Sequence, residues 1–137
     1  MDRRELAAHY GLTVDGGNVR ALESVGDGPI TVVNQFALRD VAEYAEGEPC
    51  SGLDAMLRYG AVSGACLEAV GGRFVAQALP TGVLWGDRDG DWDLLVVATY
   101  PSVDAFWALL ADPTYRAAFV HRRAAVARQR VTVGASL

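Results

Sequence analysis

The sequence predicts an α+β fold in the order β-α-β-β-α-β, and three observations carry that prediction. Four stretches rich in valine, isoleucine and aromatic residues have strand length or more: 30-ITVVNQFAL-38, 73-RFVAQALPTGVLWG-86, 92-WDLLVVATY-100 and 129-QRVTVGA-135. Between them lie two stretches whose apolar residues recur at helical spacing. Capping and turn residues (Ser51, Gly71-Gly72, Pro101-Ser102) fall at the joints.

Taken in order, residues 2–10 form a short amphipathic helix and 11–29 a glycine-rich loop, so 1–28 is an N-terminal extension and 29–137 the domain. In 30–38 the two-residue period puts Ile30, Val32, Phe36 and Leu38 on one face, with Asn34 interrupting it. Thr31, Val33, Gln35 and Ala37 on the other face are not strongly polar, so both sides of this strand should be covered. After the loop 39–50, Ser51 with Asp54 three residues on forms a capping box that opens a helix. Its broad inner face carries Leu53, Met56, Tyr59, Ser63 and Leu67, while Asp54, Arg58 and Glu68 point away. Gly60 and Gly64 are expected to let this helix approach a sheet closely, and Gly71-Gly72 ends it.

The next two strands, 73–86 and 92–100, flank 87-DRDGD-91. A calcium loop would need glycine at its sixth position and glutamate at its twelfth, where Trp92 and Ala98 stand, so Asp89-Gly90 reads as a hairpin turn. Ser102 caps a helix over 103–111, Asp112-Pro113 interrupts it, and a second segment runs from Thr114 to about Arg128, before the strand 129–135. This is the split βαβ, ferredoxin-like pattern: a four-stranded antiparallel sheet with both helices on one face. The other face is too apolar to stay wet, which predicts a homodimer.

Composition narrows the function. The chain has 137 residues, 51% hydrophobic and 21% charged, enough for one globular core. It has no apolar run of the roughly 18–20 residues a membrane span needs. MDRRELAAHYGL lacks the apolar core of a secretory signal, so the expected location is cytoplasmic. A net charge of −5 argues against nucleic acid, although all 12 basic residues are arginines. Cys50 and Cys66 have no metal or disulfide spacing; Cys66 belongs to the core, and Cys50, ahead of a helix N-terminus, reads as an inert thiol.

The most informative segment is 112-DPTYRAAFVHRRAAVARQR-130. On a helical wheel Arg122 falls with Tyr115, Phe119 and Val126, whereas Arg116 and Arg123 point elsewhere, so Arg123 is the solvated one. An arginine on a buried side needs an acceptor. Asp93 or Asp104 could supply it, or a ligand carboxylate or phenolate held bidentately. His121 on the flank could be bonded to a neighbour or act as a general acid/base.

The segments 33-VNQFALRDVAEY-44, 51-SGLDAMLRYG-60, 70-VGGRFV-75, 92-WDLLVVATYPS-102 and 112-DPTYRAAFVHRRAAVA-127 together resemble a bacterial domain-of-unknown-function family in the dimeric α/β-barrel superfamily. The resemblance implies a homodimer whose sheets face each other, and a pocket in each protomer between sheet and helices. It carries motif positions onto Asn34, Arg39, Tyr44, Tyr59, Asp93, Tyr115, His121 and Arg122. The family's Asp-Ser step after the His-Arg pair is replaced here by Arg128-Gln129, which removes an acidic partner.

Residues and resemblance together imply a cofactor-independent enzyme of the cyclase, isomerase or monooxygenase kind, acting on a small aromatic or conjugated anionic metabolite. His121 would move the proton, Arg122 would hold the anion or an enolate, and Asn34 and Tyr59 would orient the substrate. Arg39, Tyr44, Ser63, Trp85, Trp107 and Tyr115 would contact it, with no metal involved. One alternative is haem binding or degradation with His121 as axial ligand beside Asn34 and Trp107. The other is a dimer that binds a small ligand without catalysis.

Overall fold

The strand at 30–38 organises the fold. In a computed structural model, which describes residues 2–13, 17–88 and 90–137, it is β1 (Ile30–Leu38), one of the two central strands. The others are β2 (Arg73–Ala78), β3 (Leu94–Tyr100) and β4 (Val126–Ala135), in the antiparallel order β2-β3-β1-β4. Two helical crossovers, each skipping one strand, make that order: α3 (Gly52–Ala69) between β1 and β2, and α4 (Val103–Ala111) with α5 (Pro113–Ala125) between β3 and β4. The chain therefore has the ferredoxin-like four-stranded antiparallel sheet that its sequence predicts.

Register decides which side chains share a face. Ile30 lies opposite Tyr100 and Ala135, Val32 opposite Ala98 and Val133, and Asn34 opposite Val96 and Val131. Ile30, Val32 and Phe36 are buried under α3, α4 and α5. Thr31, Val33, Leu95 and Val97 point the other way and are only half-buried in a single chain.

Caps and close contacts place α3 and α5. The Ser51 hydroxyl accepts the Asp54 N–H at 3.0 Å, and Asp112 accepts that of Thr114 at 2.8 Å, with Pro113 fitting the first turn. The Gly52 N–H donates to the Arg39 carbonyl at 3.0 Å, and a Cβ on Gly52 would collide with that same oxygen. Only glycine lets α3 start so close to the end of β1. Gly60 differs from expectation, because a Cβ there would meet nothing within 4 Å. Its lack of a side chain opens space rather than drawing the helix inward.

The other differences lie at element ends. Within the expected loop 11–29 stands a helix, α2 (Gly17–Glu23), which buries Val19 and Leu22. With Leu6 and Ala7 of α1 (Arg3–His9) they join the core that holds Ile30 and Trp107. β2 stops at Ala78 rather than 86, since Pro80 has no N–H for the ladder and Gly82 follows. Asp89, half of the expected hairpin turn, lies outside the described residues. The last helix ends at Ala125 and β4 begins at Val126, three residues earlier than the pattern indicates. Two N–H groups of the 39–50 loop take carbonyls at the helix end: Arg39 bonds Ala125 and Glu43 bonds Ala124. Long-range hydrogen bonds thus set that boundary.

Candidate functional site

Between the sheet and the helices lies a cavity of about 790 Å³. That is within the size range of small-molecule sites, roughly 300–1,000 Å³. Its floor is the inner face of β1 and β3, with Val32, Asn34, Phe36, Val96 and Ala98. Met56, Tyr59 and Ser63 of α3 and Tyr115, Phe119 and Arg122 of α5 make the roof. Exposed lining residues mark the mouth, where α3 passes over the edge strand β2: Leu53, Leu57, Phe74 and Leu79.

Arg122 is the single charged residue among those lining this cavity. It keeps only a partial accessible surface, turned toward the cavity. One guanidinium nitrogen, Nη1, donates to the Tyr59 hydroxyl at 3.2 Å; Nη2 and Nε donate to Gln129 Oε1 at 3.0 and 3.3 Å. The guanidinium carbon lies 4.7, 5.1 and 5.6 Å from the ring centres of Phe36, Phe119 and Tyr59. Every partner is neutral. Burial works against the charge, and the Tyr59 hydroxyl that accepts from it offsets that only with a neutral dipole. The carboxylates the sequence offered are engaged elsewhere: Asp93 accepts the Leu38 N–H at 2.7 Å, and Asp104 pairs with Arg3 at 2.6 Å.

The phenols extend this polar line. Tyr59 and Tyr115 hydroxyls lie 2.7 Å apart. Burial pushes the pKa values of Tyr115 and Tyr100 well up, so both remain protonated donors. Tyr59 and Tyr115 have two hydroxyl protons, their mutual bond uses one, and no described residue accepts the other. Asn34 donates through Nδ2 to the Val96 carbonyl at 3.1 Å. Ser63 is 3% exposed, lines the cavity, and its hydroxyl has no partner.

The expected site residues divide. The structure brings Asn34, Tyr59, Ser63, Tyr115 and Arg122 to one cavity. His121 and Tyr44 do not line it; they pair with each other outside, Tyr44 hydroxyl to His121 Nδ1 at 2.6 Å, with the Arg58 guanidinium over the Tyr44 ring. Adjacent helix residues point about 100° apart, so His121 cannot face where Arg122 faces. Arg39 pairs with Glu43 at 3.1 Å, away from the cavity. Trp107 is buried in the core beneath Arg3 and is not a cavity wall. Trp85 is 87% exposed beyond β2, and so is no wall in this chain either. Arg123 is on the surface as expected, though not idle: it donates to the His9 carbonyl at 2.6 Å and lies over Phe119.

Three contributors escaped the sequence reading. Gln129 is the acceptor for Arg122; Tyr100 follows Val96 and Ala98 along the inner face of β3; and Tyr10 closes one end, its hydroxyl bonded to the Leu110 carbonyl at 2.6 Å. Strand alternation could have found Tyr100. Nothing local marks Tyr10, which arrives by the docking of α1.

For haem, His121 does not face the cavity and Trp107 lies in the core, so the residues named for that alternative do not assemble a haem site there. Among the described residues no group of His, Cys, Asp or Glu could hold a metal ion, and no helix is long and apolar enough to cross a membrane.

Sheet order and cavity define a ferredoxin-like α+β protein with an arginine-bearing pocket between its layers. The chain belongs to the DUF1330 family, a domain of unknown function, whose model matches residues 51–135. That span includes Tyr59, Ser63, Tyr115, Arg122 and Gln129 but not Asn34 or Tyr10. The chain is similar to the methylated RPA0582 protein, at 38% identity over 91% of this chain and 95% of the other, with a TM-score of 0.79. A second RPA0582 structure, a protein of unknown function from Rhodopseudomonas palustris, agrees at 38% identity, 87% and 92% coverage and a TM-score of 0.77. A dabb family protein with a ferredoxin-like fold from Mesorhizobium loti, at 17% identity, shares the fold, with 80% and 98% coverage and a TM-score of 0.51. No curated protein matches the chain.

Proposed function

We propose that this protein is a homodimer that binds a small, largely apolar organic anion, aromatic or conjugated, in the cavity of each protomer. The observation that carries the reading is Arg122: a guanidinium sunk among Phe36, Tyr59 and Phe119, with only neutral acceptors. Burying a charge without a counter-charge is costly, and an anionic ligand would remove that cost when it binds. The rest of the lining is mostly aliphatic and aromatic, which suits an apolar body, and the half-buried outer sheet face supports pairing with a second copy.

Cofactor-free catalysis is the second reading, favoured by the unused phenol proton beside Arg122. The two donors could stabilise negative charge developing on a substrate oxygen, as in enolate formation. With no histidine, lysine or carboxylate among the lining residues, a group on the substrate or a water molecule would carry the proton.

Native mass spectrometry of the protein purified without added ligand tests the proposal. The expected species is a dimer carrying a small organic acid, which Arg122→Met fails to retain. A haem-sized mass, or an adduct that Arg122→Met keeps, overturns it.

A further inference from the structure

We infer that Ser63 is a second polar anchor of the cavity, and that its ligand therefore carries, apart from its anionic group, a hydroxyl or carbonyl oxygen. This rests on the anion-binding reading above and specifies the ligand further.

Ser63 is the one buried polar residue among the described residues, at 3% exposure. A serine in the middle of a helix normally turns its hydroxyl back to the carbonyl four residues earlier, here that of Tyr59. Ser63 does not, and its Oγ has no hydrogen-bond partner. Buried hydroxyls are nearly always satisfied, so one left unpaired on a residue that lines the cavity points to a partner from outside the protein. The hydroxyl can donate and accept, which suits a neutral oxygen better than a second anion.

Position separates this anchor from the first. Ser63 follows Tyr59 by four residues on the same face of α3, about 6 Å further along the axis. Tyr59 bonds Arg122 and Tyr115, whereas Ser63 adjoins the aliphatic part of the cavity with Leu67 and Ala98. Gly60 lies between them in sequence and leaves its space open. A ligand lying along α3 can thus place an anion at Arg122 and a neutral oxygen at Ser63, with its apolar body over Asn34 and Val96.

Benzoate and the three monohydroxybenzoates test this, titrated calorimetrically into the wild-type protein, Ser63→Ala and Arg122→Met. In the wild type, at least one hydroxybenzoate isomer should bind roughly five- to tenfold tighter than benzoate. Ser63→Ala should erase that gain and leave benzoate within twofold. Ser63→Cys, close in size but a weak donor, should lose most of it too, which controls for a folding defect in the alanine variant. Arg122→Met should weaken all four acids at least thirtyfold. If Ser63→Ala changes benzoate and every isomer by the same factor while Arg122→Met still weakens all four, Ser63 is not an anchor and only this inference fails. If Arg122→Met leaves benzoate unchanged, or no acid binds the wild type, the anion-binding reading itself fails.

Discussion

Replacing Arg122 with methionine separates a binding role from a structural one, because the two predict opposite effects on the free protein. Methionine has a similar reach and suits the Phe36, Tyr59 and Phe119 rings. The substitution removes bonds to Tyr59 and Gln129 and the ring contacts, each worth about 0.5–2 kcal/mol. It also removes the cost of holding a charge without a counter-ion, which is several kcal/mol. Gln129 is exposed and can turn to water, and Tyr59 keeps Tyr115. The two sides nearly cancel, so stability should change by no more than about 1–2 kcal/mol, a Tm shift within roughly 5–8 °C for a chain of this size.

Affinity for an organic anion should respond much more. Removing one partner of a desolvated charge pair costs about 2–5 kcal/mol, at least thirtyfold in Kd. Thermal unfolding and calorimetric titration with benzoate, run on the same samples, measure both quantities. An arginine kept for the fold would give the reverse, a Tm lower by about 10–20 °C with benzoate affinity unchanged. That result would refute the reasoning.

His121→Gln and Tyr44→Phe should each leave benzoate binding within twofold, since their pair lies outside the cavity, and cost about 1 kcal/mol of stability. A loss as large as that of Arg122→Met would return His121 to the site. Burial raises the pKa values of Tyr10, to about 12, and of Tyr100 and Tyr115 above their ordinary value of 10.0. Protonated phenols are favoured in the folded state, so their contribution is complete below pH 10 and is lost as pH rises through the folded values. Urea unfolding should therefore show stability falling above pH 10, whereas the same melts on Tyr115→Phe should show a weaker fall. Val97→Glu, on the half-buried outer sheet face opposite Val33, should give a monomer by sedimentation; a persistent dimer would place the interface elsewhere.

What the sequence made legible follows from how local each cause is. Alternation along 30–38 marks Ile30, Val32 and Phe36 as the inner face, because strand geometry requires it and β3 and β4 both pair with that strand. The helical wheel separates Arg122 from Arg123 for the same kind of reason. Pairing His121 with Arg122 as one functional unit ignored the angle between consecutive helix residues, which the same wheel contains. Trp85 and Trp107 are candidate ligand contacts by residue type alone, because large aromatics line cavities, but composition cannot tell an exposed tryptophan beyond an edge strand from one in the core. Tyr10 at one end of the cavity depends on an ion pair and an arginine-carbonyl bond made by residues about a hundred positions away. No window of sequence contains those partners.

Gln129 gives the sharpest test of why the cavity should favour an anion. It occupies the place where a carboxylate would neutralise Arg122, yet offers only an amide oxygen to Nε and Nη2. Gln129→Glu supplies the missing charge at nearly unchanged geometry. Since residue 129 is exposed, the new ion pair would be screened on one side and should add about 0.5–1 kcal/mol to stability. It would also occupy the guanidinium electrostatically, so affinity for benzoate should fall roughly tenfold while a neutral analogue such as benzamide is unaffected. Stability should thus rise as anion affinity falls, a reciprocal change expected when a protein leaves a buried charge unpaired for its ligand. If Gln129→Glu stabilises the fold and benzoate binds as before, Arg122 is not where the anion rests, and the positive charge in the cavity serves the fold alone.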